Sequence, residues 1–360
     1  MIKNRNKVAI ISNSLGRGGA ERFASMLSYM LENCDVEVHN VIINDAVDYE
    51  YSGEILNLGS GSLGFYSVFK KTQKGLLLHR YLKEKEIDLI IDNRPRNNLI
   101  RELCTRWIYG NRRLWFVVHS SKLDNYFPKT IFWSKFLYQK AEKVICVSNA
   151  IEAELKRKFD FVNTTTIHNS FDFSKIGIKN EEVVGDKYIL YFGRFDEKVK
   201  NFSLMFEAFY ISKIFLQGYK LYLMGDGPDF SIIQDKIKEF QLDSFVEILP
   251  FKRDPFSCVQ QAKFTILTSR YEGFPLSLVE SLAVGTPVVA VDCNSGPREI
   301  INNEYNGLLV ENNNPASLAL AMNRFVDDSR LYDFCKNNAC KSVEHLSLTT
   351  ISKQWESILF

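Results

Sequence analysis

Residues 264–292 read FTILTSRYEGFPLSLVESLAVGTPVVAVD. The apolar run 264–268 predicts a buried strand and 269–275 a loop. The stretch 276–284 predicts a helix closed by Gly285, and 288–291 predicts a second strand. The segment is therefore a βαβ unit. Pro275 suits a helix start, where its missing N–H costs nothing, so the N–H groups of Leu276, Ser277 and Leu278 are expected to face back into the loop. Such a helix start attracts anions. Two carboxylates bracket it. Glu272 stands in the loop, and Glu280 lies one turn inside the helix with its side chain leaning towards the N-terminus. Singly, Glu272 reads as a loop charge. Likewise Glu280, with Ser277 and Ser281 at i, i+3, i+4 spacing, reads as part of a solvated face. Together they suit a ligand with a phosphate and several hydroxyls.

The rest of the chain repeats this alternation twice over. Strand 7–12 runs into NSLGRGGAER and a helix at 20–31. A dinucleotide fingerprint would need glycine at position 21, where Glu21 stands, so an NAD site is disfavoured. Gly18 and Gly19 instead leave a loop without Cβ atoms, which a sugar phosphate can approach closely; the plain alternative is an ordinary βα turn. Strands follow at 36–43, 89–92 and 115–118, the last ending in His119. Then comes a basic, aromatic helix around Trp133, a strand at 144–148 and a helix at 149–159. Periodicity lapses at 165–174, which marks a domain boundary.

Strands at 188–192, 220–224 and 245–249 restart the pattern. After the first of them, GRFDEKVKN places Arg194 and Lys200 before a helix at 202–209. Two cations at a strand mouth can hold a diphosphate, the arginine by paired N–H groups and the lysine as a point charge. Residues 224–229 (MGDGPD) and 249–255 (LPFKRDP) form loops at the same edge. A final amphipathic helix spans 351–360.

Composition bounds the rest. The chain has 360 residues, of which 46% are apolar, and this suits two ordinary domains. The weakly polar run near 281–293 contains Gly, Thr and Pro and is too short to span a bilayer. The apolar run 8–12 is too short for a signal peptide. Seven cysteines without a C-x-x-C pair favour reduced thiols and a cytoplasmic location. Net charge is +2, yet residues 1–170 hold 25 Lys and Arg against 18 Asp and Glu, while the remainder holds 20 against 25. The basic half suits an anionic partner. Arg94, Arg96, Arg101, Arg106, Arg112 and Arg113, with the segment 126–140, suggest peripheral contact with the inner face of the plasma membrane, unless the arginines are dispersed or paired with carboxylates. No nucleic-acid partner is expected.

Glu272 to Glu280, EGFPLSLVE, resembles the E-x7-E motif of the retaining, nucleotide-sugar-dependent glycosyltransferases of the GT-B fold, family 4, also called group 1. The continuation AVGTPVVA, the Gly18-Gly19 pair, His119 and GRFDEKVKN resemble the same class, in the expected order. The resemblance implies an α/β, GT-B architecture of two Rossmann-like domains facing across a cleft. The expected bounds are 1–169 for an acceptor domain, 170–345 for a donor domain, and 346–360 for a terminal helix returning to the first. It implies that Arg194 and Lys200 bind the donor diphosphate, that Glu280 takes ribose hydroxyls and Glu272 sugar hydroxyls, and that His119 orients the transferred sugar. Gly18, Gly19, Phe251, Gly273, Phe274 and Leu276 would line the donor site. At the domain junction the class carries a Pro-Asn-Gly-x-Asp-like linker, of which His168-Asn169-Ser170-Phe171-Asp172 keeps only Asn and Asp.

The implied reaction moves a hexose or N-acetylhexosamine from a nucleotide sugar, a UDP-sugar above others, to a saccharide or lipid-linked saccharide, in cell-surface polysaccharide or lipopolysaccharide synthesis. No D-x-D occurs in the chain, and the two cations supply the charge that Mg²⁺ would otherwise bring, so neither metal nor cofactor is expected. The alternatives are a nucleotide-sugar hydrolase or epimerase on the same fold, or a non-catalytic partner subunit.

Overall fold

The computed structural model describes residues 6–16, 18–60, 67–176, 185 and 187–360; the basic start 1–5 and Arg17 of the glycine loop lie outside them. The chain divides into two compact units, 1–170 with 348–360, and 171–347.

In the first unit seven strands form one sheet: β1 Lys7–Ser12, β2 Glu37–Ile42, β3 Glu54–Asn57, β4 Leu89–Asp92, β5 Arg113–Val118, β6 Lys143–Cys146 and β7 Thr164–Thr166. Their order is β3-β2-β1-β4-β5-β6-β7, and all pairs are parallel. Strands buried on both faces read as continuous apolar runs, which is why VAII at 8–11 and LII at 89–91 are fully enclosed. One face packs Ala9, Ile11, Val41 and Ile90 against Leu78 and Leu82 of the helix Ser67–Glu84. The last helix, Leu348–Leu359, also belongs here. Its Trp355 is fully buried, with its ring 6.2 Å from Trp115 and 6.1 Å from Phe23.

The second unit holds six parallel strands: β8 Tyr188–Arg194, β9 Lys220–Asp226, β10 Val246–Leu249, β11 Thr265–Leu267, β12 Val288–Asp292 and β13 Gly307–Glu311, in the order β10-β9-β8-β11-β12-β13. Its core gathers Ile189, Leu221, Leu223, Ile266, Val289 and Val291 under Phe202, Phe206 and Phe209 of one helix and Met322 and Phe325 of another. Residues 264–292 form the expected strand, loop, helix and strand, with the helix at Leu276–Ala283. Three strands were not expected: β3, β7 and β13. Each lies at a sheet edge.

In both sheets the order of strands reverses once, between β1 and β4 and between β8 and β11. At such a switch point neighbouring loops diverge and leave a crevice beyond the strand ends, where parallel α/β units bind ligands. Gly18 and Gly19 follow β1, and Asn93 follows β4. In the second unit Arg194 ends β8, Lys200 follows it, and Glu272 follows β11.

Candidate functional site

In the second unit the loops after β8 and β11 are fastened together. Lys200 Nζ donates to Glu272 Oε1 at 2.6 Å, and Ser269 Oγ donates to the same oxygen at 2.6 Å. Both side chains of the ion pair are largely buried. The backbone sets this meeting. Asp196 caps the short turn Glu197–Lys200 by accepting from Val199 N at 3.2 Å, and Thr268 Oγ1 donates to Lys200 O at 2.8 Å. Arg270 N donates to Val199 O at 2.8 Å, and its guanidinium lies 3.7 Å from Glu197 Oε1. Thr268 and Ser269 were not expected in this role, because their hydroxyls act only once the two loops are adjacent.

Arg194 ends β8 with an exposed side chain, and its carbonyl accepts from the buried Tyr191 hydroxyl at 2.8 Å. The Tyr191 phenol is pushed far above its ordinary value by burial, then by the charges of Glu272 and Asp196, so it remains a donor. Gly193, at φ 147°, adjoins Gly225, whose Cβ would fall 1.9 Å from Gly193 O. Only glycine allows the two strand ends to approach this closely.

The loop leading into helix Leu276–Ala283 is tied from the other side. Ser295 Oγ donates to Gly273 O at 2.8 Å, Glu272 N to Asn294 O at 3.2 Å, and Gly296 at φ 95° passes so close that a Cβ would meet Pro275 Cδ at 2.5 Å. Phe274 is buried, and Glu280 lies 4% exposed inside the helix, which removes the reading of a solvated face. Leu276 begins the helix. One expectation is corrected: Leu278 N donates to Pro275 O at 3.1 Å, so this N–H closes the first turn rather than facing the loop. Phe251, half-buried, follows the edge strand β10, two strands from β8.

In the first unit Gly18 caps the helix Gly19–Glu32 in extended backbone; a Cβ there would meet Glu21 Oε2 at 2.2 Å, whereas nothing lies within 4 Å of one at Gly19. His119 sits half-buried at the end of β5, edge-on to Phe23 at 4.7 Å. Its Nε2 is hydrogen-bonded to Asn93 Oδ1, while Asn93 Nδ2 donates to Ala20 O at 2.8 Å. That second bond fixes the amide, because a carbonyl oxygen accepts only. Asn93 therefore presents its oxygen to His119, so Nε2 carries the proton and Nδ1 the lone pair. Burial, aided by the Arg96 charge, pushes the imidazole down to about 3, so it stays neutral at physiological pH. Asn93 was missed in the sequence, where an asparagine after a strand reads as a turn residue. Nitrogen NMR is expected to show protonated Nε2, bare Nδ1 and no titration of His119 from pH 8 to 5, with a tautomer mixture in Asn93→Ala. Protonated Nδ1 in the wild type would contradict the assignment.

The arginine cluster behaves differently from its sequence appearance. Asp92, fully buried, accepts from Arg94 Nε at 3.0 Å and Nη2 at 2.7 Å and from Tyr109 OH at 2.8 Å. Burial pushes the Asp92 carboxyl up, but Arg94 and then Arg96 outweigh it and hold it below its usual range. Arg96 is 0% exposed; it donates to the carbonyls of Asp92, Arg94 and Val117 and lies 4.7 Å from the centre of the Phe116 ring. Arg101 pairs with Glu102, and Arg113 with Glu142. Four of the six arginines are thus sequestered or paired. Burial removes Arg94 and Arg96 from any surface patch, whereas Arg101, Arg106 and Arg113 are exposed. No helix among the described residues is long and apolar enough to cross a membrane. All seven cysteines are free thiols, five of them buried. Among the described residues, no group of three His, Cys, Asp or Glu side chains could hold a metal ion.

Residues 172–342 match the family Glycosyl transferases group 1, and residues 17–175 match Glycosyltransferase Family 4. The chain is 30% identical over 350 residues to N-acetylgalactosamine-N,N'-diacetylbacillosaminyl-diphospho-undecaprenol 4-alpha-N-acetylgalactosaminyltransferase of Campylobacter jejuni, covering 92% of this chain and 93% of that one. It is 25% identical to the amylovoran biosynthesis glycosyltransferase AmsD of Erwinia amylovora, covering 97% of each. Among solved structures, HepE of Anabaena in complex with UDP and glucose superposes with a TM-score of 0.79 at 18% identity, over 99% of both chains. A TarM variant of S. aureus in complex with fondaparinux, alpha-GlcNAc-glycerol and UDP gives 0.79 at 16%, over 98% of this chain and 99% of that one. With two parallel Rossmann-like units and these relatives, the chain belongs to the family 4, or group 1, glycosyltransferases of the GT-B fold.

Proposed function

We propose that this glycosyltransferase moves a hexose or N-acetylhexosamine from a UDP-sugar to a saccharide carried on a lipid diphosphate, in the synthesis of a cell-surface glycan. It would do so with retention of anomeric configuration and without a metal ion. The observation that carries the donor side is the buried Lys200–Glu272 pair, 2.6 Å apart at the switch point of the second sheet and next to a helix start with Glu280 inside it. A largely buried ammonium paired with the loop that leads into a helix N-terminus suits a diphosphate. The acceptor class is supported by the Campylobacter relative, whose name carries a diphospho-undecaprenol, and UDP by the ligands of the HepE and TarM structures.

As the donor's glycosidic bond breaks, negative charge gathers on the diphosphate and positive charge on the sugar. Lys200, Arg194 and the helix start at Leu276 would stabilise the leaving group, an electrostatic contribution of the oxyanion type. Glu272 Oε1 is committed to Lys200 and Ser269, so Oε2 is the oxygen offered to sugar hydroxyls. Glu280 would take the ribose hydroxyls. His119, neutral and with Nδ1 as acceptor, is assigned to a hydroxyl of the transferred sugar and not to acid catalysis. Retention would follow from attack on the face that the diphosphate leaves, with a phosphate oxygen taking the acceptor's proton.

Calorimetry with UDP- and GDP-sugars and with free UDP tests the division of roles. Glu280→Gln is expected to weaken UDP binding, whereas Glu272→Gln keeps UDP affinity and loses transfer. Equal loss of UDP affinity in both would contradict the assignment. Chelation with EDTA is expected to leave the rate unchanged.

A further inference from the structure

Helices Leu99–Tyr109 and Ile131–Tyr138 of the first unit pack on each other, and together they expose the large apolar side chains Ile100, Leu103, Trp107, Ile131, Phe132 and Phe136. Ile100, Leu103 and Trp107 recur at i, i+3, i+7 and so share one face of the first helix. Ile100 is 76% exposed, Trp107 64%, and Phe132 of the second helix 70%; Ile131 and Phe136 are exposed beside it. The Arg106 guanidinium lies 5.5 Å from the centre of the Phe136 ring and joins the two helices. A single exposed leucine is ordinary, but a cluster of large aromatic and branched side chains on adjoining helices marks an interaction surface.

The charges around the patch select its partner. The two helices carry one acidic side chain between them, Glu102, which is buried against Arg101. Exposed Arg106, Lys129 and Lys140 lie on or beside them, and Lys135 lies 3.6 Å from Asp160. Tryptophan and phenylalanine flanked by cations, with no exposed carboxylate on either helix, fit an anionic lipid interface. There the rings enter the headgroup region while the long cationic side chains reach phosphates.

We propose that this two-helix face is a membrane-docking surface, with anionic lipid as its occupant and apolar insertion, not the arginine cluster, as the main attraction. The proposal deepens the reading of a lipid-carried acceptor and rests on it for its purpose. Its measurement needs no substrate, so each can fail alone.

The full chain is tested by flotation with vesicles of phosphatidylglycerol and phosphatidylethanolamine, beside neutral phosphatidylcholine vesicles. Wild type is expected to bind the anionic vesicles and to retain part of that binding at high salt, because screening weakens only the charge contribution. Trp107→Ser/Phe132→Ser/Phe136→Ser is expected to lose at least about tenfold in partitioning, with unchanged thermal unfolding. Phe132→Trp is expected to retain binding. Unaltered binding by the triple variant, no wild-type binding to anionic vesicles, or complete loss at high salt would overturn the proposal. So would a wild-type dimer that the triple substitution dissociates without any vesicle binding, since a second copy would then occupy the face.

Discussion

Lys200→Ala is expected to lower kcat by about a hundredfold or more, the scale on which removal of a preorganised charge at a developing anion acts. The ammonium is held by Glu272, Ser269 supports the same carboxylate oxygen, and Thr268 fastens the lysine's own carbonyl. Little reorganisation is then needed when the diphosphate gains charge. Arg194→Ala should fall in the same range, because its exposed guanidinium adds the second positive charge from the adjacent strand end. If Lys200 served only as a structural ion pair, its replacement would lower the unfolding temperature and leave kcat nearly intact. Steady-state kinetics beside thermal unfolding separates these outcomes, and near-normal turnover in both single variants would remove the cations from the reaction.

The largest stability effect is expected at Asp92. Its carboxylate satisfies Arg94 twice and Tyr109 once in a fully enclosed position, so Asp92→Ala strands a buried guanidinium and a buried hydroxyl. Breaking one partner of such a pair costs about 3–5 kcal/mol. All four tryptophans, Trp107, Trp115, Trp133 and Trp355, belong to the first unit, so tryptophan fluorescence in urea follows its unfolding. The sign with pH follows from the same contacts. The folded carboxyl lies below its unfolded value, so its contribution is present above about pH 4 and is lost on acidification through the folded value. A loss under about 1 kcal/mol in Asp92→Ala would show that this network does not hold the β4 end.

Much of this molecule was legible in its sequence, and the parts that were not share a cause. Residues 264–292 announced strand, helix and strand because a buried βαβ unit writes its burial into apolar runs and its turns into Gly and Pro. The edge strands β3 (EILN) and β7 (TTT) face neighbours on one side only and carry polar residues. They lack that signature. In the spacing of Arg94 to Arg113 only charge could be seen, since nothing local says that Asp92 and the β5 carbonyl of Val117 will enclose Arg94 and Arg96. Asn93, Thr268 and Ser269 escaped for a related reason. Thr268 acts through Lys200, 68 residues away in the chain, Asn93 through His119 and Ala20, 26 and 73 away, and Ser269 through a carboxylate whose own partner is 72 away. Lys200 and Glu272 were recognisable one by one, whereas their direct pairing required the order of β8 and β11.

Transfer of the sugar is tested most directly by product analysis. The protein is incubated with a panel of UDP-sugars, with and without a polyprenyl-diphosphate-linked saccharide, and released UDP and extended acceptor are counted together. One UDP for each new glycosidic bond is expected, with the anomeric configuration of the donor kept and little UDP released when acceptor is left out. Equal UDP release in both conditions with free sugar as product, or no turnover of any donor despite tight UDP binding, would contradict it.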